Sequence, residues 1–122
     1  MSRVTQDRSG AIRISLYGDL TPTECLELVS TYHQLLKAHL KSAHNRKKVD
    51  VHIDYAGVTS MSKITGQITT MIKEMNKIRV EAEQCVHCTY YKNIGVFWKP
   101  FVKLTIAGVC ALVQTTIKHV VV

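Results

Sequence analysis

The sequence predicts a single α/β domain, with a mixed sheet of four to five strands and helices mainly on one face. Three observations carry that prediction. Residues 11–17 and 49–55 alternate apolar and polar side chains, the two-residue period of half-buried strands. An apolar stripe at helical spacing follows each of them. A third strand-like run at 86–91, a helix from about 100 to 114 and an apolar segment at 115–122 continue the pattern. The order reads β-α-β-α-β-α-β, and helical crossovers between strands favour parallel neighbours joined by right-handed connections. A chain of 122 residues suits one domain with one core.

The first strand places Ile12, Ile14 and Leu16 on one face and Arg13, Ser15 and Tyr17 on the other, and Gly18-Asp19 breaks it. The residues before it can add an antiparallel edge strand. Thr21-Pro22-Thr23-Glu24 is a helix start: Thr21 as N-cap, Pro22 at the first helical position, Glu24 three residues after the cap. Cys25, Leu28, Val29, Tyr32, Leu35, Leu36 and Leu40 form its apolar stripe, which should end near Ser42.

Residues 49–75 are the most informative segment. Val49, Val51, Ile53 and Tyr55 alternate with Asp50, His52 and Asp54. Ile64, Ile68, Met71, Ile72, Met75 and Ile78 then recur at helical spacing, with 79–84 either extending the helix or opening a strand. Between the two periods stand Thr59, Ser60 and Ser62. Hydroxyls there cap a helix, and they also sit where free N–H groups and the helix dipole favour a phosphate. In the C-terminal third, Asn93 and Gly95 mark a turn. Pro100 belongs to the first turn of the third helix. The aromatic group Phe97, Trp98 and Phe101, with Tyr90 and Tyr91, reads as core where that helix meets the sheet, with a protein-binding hot spot as the alternative. The helix is apolar on nearly every side. Residues 106–113 should therefore be covered by other elements or by a second copy of the chain, which makes a homo-oligomer the expectation.

The formal charge is +7, and every acidic residue lies at or before Glu83. Arg46-Lys47-Lys48 and the later lysines fit either a solvated surface or an acidic partner such as nucleic acid. No aromatic interleaving marks a base-stacking surface. The 46% hydrophobic content argues against disorder, and no apolar run reaches the roughly 18 residues of a membrane span. A polar N-terminus without a signal-peptide core places the protein inside the cell, in the cytoplasm. Cys85-Val86-His87-Cys88 lacks the second ligand pair that zinc requires and reads as two cysteines in or near a strand. Asp50, His52 and Asp54 share a strand face, but no nucleophile is spaced to work with them. No cofactor, metal or catalytic residue is expected.

Gly18-Asp19-Leu20-Thr21-Pro22-Thr23-Glu24, Asp54-Tyr55-Ala56-Gly57-Val58 and Thr59-Ser60-Met61-Ser62-Lys63 carry a resemblance. Over roughly residues 11–90 the chain resembles the STAS fold and is similar to its SiaC-type group of bacterial regulators. Val58 stands where that group usually has Asn, and Met61 where it has a second Ser. The resemblance implies a non-enzymatic regulatory, protein-interaction domain. It makes Thr59 the candidate phosphoacceptor, with Ser60 and Ser62 behind it. The partner surface would centre on 57–66, with Gly57, Thr59 and Lys63 in it. The partners would be a kinase/phosphatase pair or a signalling enzyme. The alternative reading is a basic nucleic-acid-associated or structural assembly subunit.

Overall fold

The computed structural model describes residues 2–41, 47–65, 67–113 and 115–122. Five strands form one sheet in the order of the chain: β1 (Arg3–Gln6), β2 (Ile12–Gly18), β3 (Val49–Val58), β4 (Val86–Lys92) and β5 (Lys118–Val121). β1 pairs antiparallel with β2, and the other neighbours are parallel. The helices are α1 (Pro22–Lys41), α2 (Met61–Thr65), α3 (Ile68–Lys77), α4 (Arg79–Cys85) and α5 (Lys99–Val113).

This strand order decides where the helices go. From β2 to β5 every crossover steps the same way across the sheet. Right-handed connections that always advance in one direction bring their helices to the same face. The core lies on that face. Ile12 sits opposite Val51 and Ile14 opposite Ile53. These residues cluster with Leu16, Cys25, Leu28, Val29, Tyr32 and Leu36 from β2 and α1, and with Ile78, Ala82 and Cys85 from the α3–α4 region. The opposite face carries Arg13, Ser15, Asp50, His52 and Asp54, all exposed or half-buried. Most parallel sheets are covered on both sides.

Thr21 caps α1 as its position requires: its hydroxyl accepts the Glu24 N–H at 3.1 Å. The buried stripe of α1 runs Cys25, Leu28, Val29, Tyr32, Leu36, His39. Leu40, expected in the core, is exposed instead. His39 takes its place because its ring Nε2 meets the Lys47 carbonyl at 2.9 Å, tying the end of α1 to the chain entering β3. Ser42 and Arg46 lie outside the described residues.

The single second helix expected over 64–78 is three shorter ones. α3 ends at Lys77, and Ile78 leaves helical geometry at φ −107°, ψ 15°. α4 then continues to Cys85, which settles 79–84 as helix. Ile64 and Ile78 are nevertheless both buried. Between them Met75 is partly buried against the same core.

The aromatic group is the largest departure from expectation. Phe97 is 85% exposed and Phe101 47% exposed. The buried residues beside them are Ile94 and Val102. Trp98 packs edge-on against both phenylalanines, with ring centroids 5.5 and 5.8 Å apart, so the three form a surface cluster.

Candidate functional site

The expected site residues gather where β2 and β3 leave the sheet, and a bulge brings them together. Ser15 faces Asp54, yet Tyr17 faces Gly57, so β3 spends one more residue than β2 over the same interval. Asp54 holds the extra residue. Its Oδ1 accepts the Ala56 N–H at 2.8 Å and the Asn93 side-chain amide at 2.9 Å. The Asn93 bond, then the Ala56 bond, keep the Asp54 carboxyl below its usual range. The same bonds tie the end of β3 to the turn after β4, where Asn93 adopts a positive φ of 61°.

Past the bulge the two chains nearly touch. A Cβ at Gly57 would lie 2.3 Å from Tyr17 Cδ1 and 2.8 Å from the Leu16 carbonyl oxygen, so only glycine fits. The Tyr17 ring thus lies across the Gly57 backbone. Gly18, at φ 63°, turns β2 toward α1, and its carbonyl accepts the Thr59 N–H at 3.2 Å. Thr59 Oγ1 stands 4.0 Å from where a Gly18 Cβ would be. One turn later Lys63 Nζ reaches Asp19 Oδ2 at 2.8 Å. The hydrogen bond to Asp19, then its charge, push the Lys63 ammonium pKa up. The two turns that follow β2 and β3 are therefore joined twice, by a backbone bond and by an exposed ion pair.

Thr59 is exposed at the rim of this junction, and Ser60 is half-buried. The Ser60 and Ser62 hydroxyls are 2.9 Å apart. All three candidate phosphoacceptors and Lys63 are thus within one short turn. The helix that follows has only five residues, so it offers little dipole to an anion, and Lys63 is the charge that counts here. An open cleft of about 550 Å³ adjoins the junction. Tyr17, Gly18 and Asp19 line it, with Arg3 from β1 and Glu24 and Glu27 from α1. No local spacing signals this cleft, whose walls come from β1, the end of β2 and α1.

The other constellations are spoken for. His52 stacks on Tyr90 at 5.0 Å, Asp50 faces His87 at 3.5 Å, and Asp54 holds the bulge. Cys85 closes α4 and Cys88 sits in β4, both buried and unbonded to each other. Among the described residues no three His, Cys, Asp or Glu side chains gather in a way that would hold a metal, and no helix is long and apolar enough to cross a membrane.

The chain matches no protein-family model and no curated protein. What it does must therefore be argued from this junction and from the fold that carries it.

Proposed function

We propose that the chain is a non-enzymatic, STAS-like regulatory domain of the cytoplasm. It would bind a protein partner over the junction of Gly57, Thr59 and Lys63 and be controlled by phosphorylation of Thr59. The observation that carries this reading is the pairing of an exposed Thr59 hydroxyl with the Asp19–Lys63 bridge one turn away. The one-faced α/β architecture and the glycine-dependent approach of the two turns support it.

The physics of such a switch is local. A phosphate on Thr59 adds about −1.5 to −2 charges and three acceptor oxygens. It would compete with Asp19 for the Lys63 ammonium and repel the Asp19 carboxylate. The bridge between the turns would open, and the surface presented to the partner would become strongly negative. Ser60 and Ser62 are the reserve acceptors. No chemistry by the domain itself is needed for this, since a kinase and a phosphatase would set the state.

The test is capture of the partner from the native host, followed by binding measurements with purified protein. Thr59→Asp should weaken the complex about tenfold or more, a loss of roughly 1.4 kcal/mol, and Thr59→Ala should leave it intact. Equal affinity for wild type and Thr59→Asp, together with native protein free of phosphate at all three hydroxyls, sinks the switch. Binding that instead falls steeply with salt and goes to oligonucleotides would favour the nucleic-acid-associated alternative.

A further inference from the structure

The face of the sheet opposite the core carries a row of side chains that the junction does not use. Arg13 pairs with His52, His52 with Tyr90 and Tyr90 with Val120, so one residue from each of β2, β3, β4 and β5 stands level across the sheet. The His52 and Tyr90 rings are stacked, with centroids 5.0 Å apart and planes 11° from parallel. That separation matches the spacing of neighbouring strands, so the rings stand on edge, side by side across the sheet. His52 covers one face of Tyr90. The other face looks toward β5, where the opposing residue is the short Val120, itself 41% exposed. Tyr90 is only half-buried, so a flat ring can reach this second face. The feature is hidden in the sequence because its two rings come from separate strands.

Charge is distributed unevenly around the stack. Half-buried Lys92 stands two residues beyond Tyr90 on the same face, and exposed Lys118 lies level with Cys88, two residues before it. The two lysines flank the free face of Tyr90, roughly 13 Å apart along the strands. No acidic residue follows Glu83, so β4, α5 and β5 carry lysines and no carboxylate side chain. On the β3 side, Asp50 lies beside Cys88 and Asp54 beside Lys92. Asp54 is held by Ala56 and Asn93, and Asp7 holds Arg13 at 3.2 Å. The Asp50 side chain is 40% exposed and 3.5 Å from His87.

We propose that this face of the sheet binds single-stranded RNA. A base stacks on the free face of Tyr90, and the phosphates on either side of it meet Lys92 and Lys118. The Asp50 carboxylate would repel a phosphate, but it is an acceptor for a ribose 2′-hydroxyl, which DNA lacks. An aromatic platform between cations holds single strands with little sequence preference, because every base has a π-face. A duplex cannot use the platform, since its bases are already stacked on one another. The surface is separate from the Thr59–Lys63 junction, and the two readings stand or fall apart.

The experiment is fluorescence anisotropy of the full chain with labelled oligouridine and oligodeoxyuridine of about ten nucleotides, over a range of salt concentrations. Oligouridine should bind, and the deoxy strand should bind several-fold more weakly. Tyr90→Ala should weaken binding at least about fivefold, whereas Tyr90→Phe, which keeps the ring, should not. Lys92→Gln and Lys118→Gln should each weaken binding and flatten the dependence of log affinity on log salt by about 0.7. Asp50→Ala should narrow the gap between the ribo and deoxy strands. No binding at high micromolar protein and low salt overturns the proposal. So does a Tyr90→Ala variant that keeps the native circular dichroism and binds like wild type, or equal affinity for the single strand and a duplex RNA of the same length. If Tyr90→Ala does not fold, the lysines decide: an unchanged salt slope in Lys92→Gln/Lys118→Gln overturns the proposal equally. Equal affinity for the ribo and deoxy strands overturns the choice of RNA.

Discussion

Gly57 and Asp54 show how a few atoms set the geometry of the junction. The bulge in β3 needs an acceptor for the Ala56 N–H, and Asp54 supplies it two residues earlier. The approach of β2 then needs a residue without a Cβ. Gly57→Ala should destabilise the fold by about 1–3 kcal/mol, the usual cost of forcing bulk into filled space. Removing the Tyr17 ring as well should not restore stability, because the Leu16 carbonyl oxygen, at 2.8 Å from the added atom, is backbone and cannot move aside alone. Recovery of the wild-type denaturation midpoint in Tyr17→Ala/Gly57→Ala would show that the ring, not the backbone, is what excludes a side chain. Thr21 is the simpler case. Its hydroxyl takes one of the otherwise unpaired N–H groups of α1, so Thr21→Ala should cost on the order of 1 kcal/mol in chemical denaturation. An unchanged midpoint would mean that water caps the helix equally well.

Elements were legible in the sequence where period and punctuation agreed. β2 and β3 alternate cleanly, and Thr21-Pro22 announces α1. The α2–α3–α4 breaks were not legible, because apolar residues can keep to one side of a bent path as well as a straight one. Ile64 and Ile78 are buried at its two ends regardless. The aromatic cluster misled for a related reason: hydrophobic residues signal burial, but not whether the cover comes from the same chain. At the candidate site, the hydroxyls and Lys63 could be picked out from their spacing. The Asp19–Lys63 bridge could not, since it joins residues 44 apart that only the parallel pairing of β2 and β3 brings together. The packing of α4 on α1 makes its own prediction. Cys85 is fully buried, with its thiol 3.5 Å from the Leu36 carbonyl, and burial pushes its pKa up. Cys25 and Cys88 are buried as well, whereas Cys110 is only partly so. A thiol reagent should label Cys110 first and the other three only as fast as the protein opens. Rapid labelling of Cys85 in native protein would show that α4 detaches from α1 without global unfolding.

At the scale of the whole molecule, one core on one face of one sheet implies that distant elements should fail together, and alkaline titration can test this. Tyr32 lies in α1, Tyr55 in β3 and Tyr91 in β4. Desolvation pushes Tyr55 from 10.0 up to about 12, and it pushes Tyr32 and Tyr91 up as well. The Tyr91 hydroxyl is also 2.8 Å from His119 Nδ1, which links β4 to β5. The sign follows from proton counts. Above pH 10 the unfolded chain gives up its tyrosine protons while the folded chain keeps them, so the unfolded state binds fewer protons and stability falls as pH rises. The contribution of these rings is full below pH 10 and, for Tyr55, is lost by about pH 12. Each unit of difference is worth about 1.4 kcal/mol, a noticeable share of the roughly 5–15 kcal/mol that hold a domain folded. Tyrosinate absorbance from these rings should therefore rise in one step with the loss of helical circular dichroism, between pH 10 and 12. Tyr55→Phe, which leaves an apolar ring with no proton to lose, should move that step to higher pH. Full ionisation of these three tyrosines with the dichroism intact, or separate steps for the helical and strand signals, would mean that the sheet and its helices do not form one cooperative unit.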